Sequence, residues 1–116
     1  VNFNHENAKQ DYSTAELWRM VTNLLRIGTI ASLDEASARV RVKSGDVLTD
    51  WIPWLERRAG PDRTFWTPEA GEQVLILSPA GDPAQGYVLT GIFSEKYPPK
   101  AKDKDIYRKD FANGSY

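Results

Sequence analysis

Asp50 to Leu77 reads DWIPWLERRAGPDRTFWTPEAGEQVLIL and holds Trp51, Trp54 and Trp66 of the chain's 4 tryptophans. Its two ends read as strands, Val47 to Trp54 and Gln73 to Ser78, the latter around the wholly apolar Val74-Leu75-Ile76-Leu77. Between them, Glu56 to Pro68 is a long charged connection broken by Gly60, Pro61 and Pro68, with room for a short helix. Pro53 cannot donate to a ladder, so it belongs at a strand end or an edge. Trp51 shares a strand face with Val47 and is expected in the core. Aromatics mixed with Arg57, Arg58 and Arg63 suit two kinds of partner. Bases of single-stranded nucleic acid stack on flat rings over a cationic groove. Protein interfaces enrich Trp and Arg as well.

Working towards the N-terminus, the hydrophobic period is two. Thr29 to Leu33 reads as a strand and Asp34 to Ser37 as its turn. Ala38, Val40 and Val42 then alternate with Arg39, Arg41 and Lys43, giving one dry face and one cationic face. That stripe reads either as a phosphate-facing groove or as a solvated surface with carboxylates on neighbouring strands. Gly45-Asp46 makes the next turn. Before Gly28 the period changes to that of a helix. Ser13 and Glu16 have the spacing of a capping box, and Leu17, Val21, Leu24 and Leu25 form one stripe, with Trp18 at its edge. A helix over 13–26 follows, preceded by a loose polar arm, 1–12.

Towards the C-terminus, Tyr87 to Phe93 reads as a fifth strand. Like Val74 to Leu77, it is apolar or small on both faces, whereas a barrel strand facing water should alternate. Something must cover the outside: the helix, a loop or another subunit. Residues 97–105, with Pro98-Pro99 and alternating Lys and Asp, form an extended linker. From Ile106 to Tyr116 a hairpin opens, with Phe111 ahead of the Asn113-Gly114 turn signal. One and a half strands cannot stabilise themselves, so β structure is expected to continue in a longer polypeptide.

The chain has 116 residues, enough for one domain with appendages, and no cysteine, which removes disulfides and thiolate metal sites. Its net charge of -1 argues against a domain built to hold phosphate backbones. No apolar run approaches the roughly 20 residues of a membrane span. The single histidine, His5, lies in the polar arm without a companion ligand, and no phosphate-binding glycine loop occurs. Asp34-Glu35 sits in a turn and Asp103 with Asp105 in a linker, so neither pair is held across a cleft. No enzyme activity, cofactor or metal is expected.

Five short strands with a long connection between the third and fourth suggest an all-β, OB-type Greek-key barrel over 27–96. Its ordered wording goes further. Arg26-Ile27-Gly28-Thr29-Ile30 leads to the Ala38 to Val42 strand. Then come Thr49-Asp50-Trp51-Ile52-Pro53-Trp54, Arg58-Ala59-Gly60 and Thr64-Phe65-Trp66-Thr67-Pro68. Gly71 to Leu77 and Gly91-Ile92-Phe93-Ser94 complete the set. In this order they resemble the phage baseplate assembly protein V family, the central spike of contractile tails, over residues 17–116.

The resemblance implies a homotrimer whose OB domains seat the spike on the baseplate hub. It implies that residues 106–116 begin a three-chain β-helix shaft, and that shaft and tip cross the host outer membrane when the sheath contracts. The location implied is the tail baseplate of the virion, after assembly in the host cytoplasm. Some family members hold iron through a His-x-His motif at the apex; this sequence has no such motif, so no metal carries over. The linker runs straight into the shaft segment, which argues against the lysozyme domain that some relatives insert at that point. The expected hub or subunit contacts are Trp18, Trp54, Phe65, Trp66, Arg57 and Arg58, with Ile106, Tyr107 and Phe111 opening the shaft. Two readings compete. One is a nucleic-acid-binding OB domain, and the other is the spike of a type VI secretion system or contractile bacteriocin.

Overall fold

The computed structural model describes residues 13–79, 81–82 and 84–113. Its one helix in that range, α1 (Thr14–Thr22), begins where the capping signal lies: Ser13 Oγ accepts from the Glu16 amide at 3.1 Å. It stops four residues short of the expected end. Asn23 caps it, and Leu25 and Arg26 are already in β1 (Leu25–Asp34), paired with Leu77 and Ile76. Leu25 fits a helical stripe and a strand alternation equally well, and the ladder to its neighbour decides between them.

The remaining strands are β2 (Arg39–Ser44), β3 (Val47–Leu48), β4 (Ile52–Pro53), β5 (Gln73–Leu77) and β6 (Tyr87–Ile92). All ladders are antiparallel, and β1 lies between β2 and β5, with β6 beyond β5. β4 pairs with the far end of β2, and Trp54 just beyond it forms a parallel bridge to Val88 in β6. The Leu55 amide donates to the Val88 carbonyl at 2.9 Å. That bridge closes the path into an OB-like barrel, because it gives β6 a neighbour on the side away from β5.

The expected third strand is two short ones. Between them Thr49 turns its hydroxyl inward, where it accepts from the Val42 amide at 2.9 Å and donates to the Asp50 carbonyl at 2.8 Å. A side chain thus replaces a ladder partner, and the inward phase shifts. Trp51 is 40% exposed and Trp54 only 5%, the reverse of the expectation that Trp51 fills the core. Ile30, Val40, Val42, Ile52, Trp54, Val74, Ile76 and Val88 form the core, with Leu33 and Ala38 packed against it. Ala38 itself lies in the turn before β2, at φ 56.

The connection from 55 to 72 holds no helix. Ala59 and Arg63 bridge across a small loop, and Thr64 N donates to the Arg58 carbonyl at 2.9 Å. After Ile92 no strand occurs among the described residues, and the turn of the hairpin expected from Ile106, at Asn113-Gly114, runs outside them. The segment from Ile106 rests on the barrel loop by side chains, through Lys109 and Phe111 against Trp66; Gly114 to Tyr116 and the arm 1–12 lie outside the described residues.

Candidate functional site

Glu56 organises the aromatic loop. It follows Trp54 by two residues, the spacing that keeps extended side chains on one side. One carboxylate oxygen accepts from Trp54 Nε1 at 2.7 Å and from the Trp66 amide at 3.1 Å, and the other from the Thr64 hydroxyl at 2.8 Å. Partial burial raises the carboxyl pKa, but the hydrogen bonds from Trp54, Thr64 and Trp66 outweigh it and hold it below its ordinary value of 4.5. The loop is thereby pinned at both ends. Phe65 is held beside Trp54, with ring centres 6.2 Å apart and planes tilted by 45°.

A folded pKa below the unfolded one means that Glu56 stabilises fully above about pH 4.5 and loses that contribution as pH falls through its folded value. Urea unfolding of Glu56→Gln is therefore expected to show about 1 kcal/mol less stability at pH 7. It should also show a shallower loss of stability from pH 5 to 3 than the parent. Parallel pH profiles would remove Glu56 from this role.

The expected contact residues divide. Trp54 is core and reaches no partner directly. Phe65 and Trp66 are exposed on the loop, and Trp66 meets Phe111 at 5.7 Å between ring centres, with Lys109 Nζ 5.7 Å from its ring centre. This aromatic contact docks the C-terminal segment on the barrel loop, and Ile106 and Tyr107 lie exposed along the same groove. Arg57 is exposed, and Arg58 pairs with Asp62 at 3.2 Å within the small loop. Both side chains of that pair are well solvated, so it contributes little. Trp18 is exposed on α1, on a different element from the aromatic loop.

The cationic stripe has partners that the sequence did not suggest. Arg41 Nε donates to the Thr49 carbonyl at 2.9 Å, and Arg39 to the Trp51 carbonyl at 3.3 Å. Two of its three cations thus hold down the break between β3 and β4.

A second feature is the outer face of β1, β5 and β6. Leu25, Leu77 and Tyr87 form one cross-strand row and Ile27, Leu75 and Leu89 the next. All six are exposed or half-buried, and α1 does not cover them. The two-sided apolar pattern is present, and among the described residues the chain's own helix does not supply the expected cover. No group of three or more His, Cys, Asp or Glu side chains that could hold a metal ion occurs among the described residues.

Over 100 residues, 86% of the chain, the sequence is 41% identical to the spike protein of Escherichia phage P2 and covers 47% of it. The chain thus spans about half the length of this curated relative. Residues 26–93 match the family described as the type VI secretion system/phage-baseplate injector OB domain. The matched stretch runs from the second residue of β1 to the residue after β6 and so takes in the whole barrel; the chain belongs to that injector OB-domain family.

Proposed function

We propose that the chain is the barrel-bearing part of the membrane-piercing central spike of a contractile phage tail, a structural component with no catalytic step. The observation that carries this is the 41% identity to the phage P2 spike protein, which extends over 86% of the chain. The family description covers type VI secretion as well, and the phage relative favours the tail. In this reading the full polypeptide is a homotrimer in the virion baseplate, assembled in the host cytoplasm. Its barrel rests on the baseplate hub, and the C-terminal part of that polypeptide meets the host outer membrane. Trp18, Phe65 and Trp66, with Arg57 and Arg58 at the rim, supply the hub or subunit contacts. Trp54 acts behind them by holding Phe65 and Glu56. Ile106, Tyr107 and Phe111 lead into the shaft.

A closed barrel suits a part that bears load, because no long strand edge is left to peel or to pair wrongly. The tethering of Arg39 and Arg41 to main-chain carbonyls speaks against a nucleic-acid groove. Two measurements test the proposal. Light scattering on the full-length polypeptide should give a trimer, and gold-labelled antibody to the barrel should mark the baseplate of purified particles. Absence of label at the baseplate would end the spike reading. Salt-sensitive quenching of tryptophan fluorescence by a micromolar oligonucleotide would restore the nucleic-acid reading.

A further inference from the structure

Two apolar surfaces of this chain are without a partner among the described residues, and they differ in shape. One is convex: Leu17, Val21 and Leu24 run along and just past α1, with Trp18 beside them, all exposed. The other is the outer face of β1, β5 and β6, two rows of three apolar side chains without a charge in either. A third row, Thr29, Gln73 and Ile92, is uncharged as well. Amphipathic helices and half-apolar sheets ordinarily bury these faces on each other.

Within one chain that packing is blocked. Only Asn23 and Leu24 separate α1 from β1, and the junction is fixed on several sides. Arg26 donates to Asn23 Oδ1 at 2.8 Å and to the Ser44 carbonyl and hydroxyl at 3.0 and 3.2 Å. The Ser44 hydroxyl donates in turn to the Ile27 carbonyl at 2.7 Å. The Ser78 amide donates to the Leu24 carbonyl at 2.8 Å, and Met20, on one edge of the stripe, lies against Gly81. The helix is thereby held with Val21 57% exposed, while Ile27 on the sheet face is 56% exposed.

We propose that α1 of one copy of this chain lies across the β1–β5–β6 face of the next, a head-to-tail contact that repeats around a ring. The ring is the trimer of the proposed function, and the contact rests on that reading for its closure at three. The exposed fractions correspond to on the order of 400 Å² of apolar surface on each side, in the range of functional patches. One such contact buries about 800 Å² in total, below the roughly 1,000 Å² of a stable interface. The barrels alone therefore associate weakly, and closure of the ring, in which every copy makes two contacts, supplies the rest.

The test is sedimentation velocity on the 116-residue chain from 1 µM to about 1 mM, an interval that spans weak association. Val21→Glu and Leu89→Lys change exposed side chains on the two faces, so both variants keep the parent's melting temperature. Each is expected to weaken self-association at least tenfold. Mixed in equal amounts, they should form a dimer that stops there, because the Leu89→Lys helix is intact and the Val21→Glu sheet is intact. A parent that stays monomeric throughout overturns the proposal. So does loss of association in Leu89→Lys but not in Val21→Glu, which indicates sheet meeting sheet. Failure of the spike reading would look different: a full-length polypeptide that is not trimeric and is missing from the baseplate. Self-association of the 116-residue chain that is as strong with Val21→Glu as without it, beside a trimeric full-length protein, would overturn this contact alone.

Discussion

Replacing Trp54 by alanine is expected to cost about 3–5 kcal/mol, enough to unfold much of the population of a marginally stable barrel. Three losses coincide at this residue. The ring is 5% exposed, so truncation leaves a cavity among Ile52, Val88 and their neighbours. The bridge from Trp54 to Val88 closes the barrel, and a smaller side chain weakens the packing that holds that seam. Glu56 also loses the Nε1 donor at 2.7 Å. Trp54→Phe separates these terms. It keeps most of the buried surface and gives up the hydrogen bond, at about 1–2 kcal/mol. Urea unfolding of both variants measures the two, and a cost below about 1 kcal/mol for alanine would remove Trp54 from the core. Near-ultraviolet circular dichroism of Trp54→Phe should also change at Phe65 and Trp66, because the loop that presents them hangs from Glu56.

The outcome at Trp54 shows where the sequence was legible. Strict alternation in Arg39 to Ser44 placed Val40 and Val42 inside, and they are buried. The two-sided apolar character of β5 and β6 pointed to a face in need of a cover, and among the described residues that face is exposed or half-buried. What failed was phase. A two-residue period assumes an unbroken ladder, and the Thr49 hydroxyl takes over one ladder position, so Trp51 and Trp54 exchange roles. Arg39 and Arg41 were readable as cations but not as donors to main-chain carbonyls ten or so residues ahead, since nothing local specifies that reach. Glu56 was one charge among many in a charged loop. Its distance of two residues from a buried tryptophan was the available signal, and it becomes informative only once Trp54 is known to face inward. Strand count and the long connection between the third and fourth strands suggested the barrel, the resemblance carried that reading further, and the family match over residues 26–93 agrees with both.

Gly86→Ala is expected to destabilise the barrel by about 2–5 kcal/mol and to disturb the outer apolar face with it. Gly86 stands at the head of β6 with φ 142, a region that side-chain-bearing residues rarely adopt. A methyl group there would fall on the Leu77 carbonyl oxygen, with the Ser78 Cα at 3.2 Å. These are backbone atoms of the neighbouring strand, so relief requires β6 to move away from β5. That motion acts on the pairs Leu77–Tyr87 and Leu75–Leu89, which supply two columns of the exposed face. Gly91→Ala is the control, for it has φ 101 but nothing within 4 Å of the added methyl. It should pay the conformational term alone, about 1–2 kcal/mol. Thermal unfolding then separates the causes: a drop of at least about 10 °C at Gly86 against a smaller one at Gly91 assigns the difference to the close approach of β5. Equal drops would mean that β5 yields freely, and the rows on the outer face would then be too loosely held to form the ring contact argued for α1.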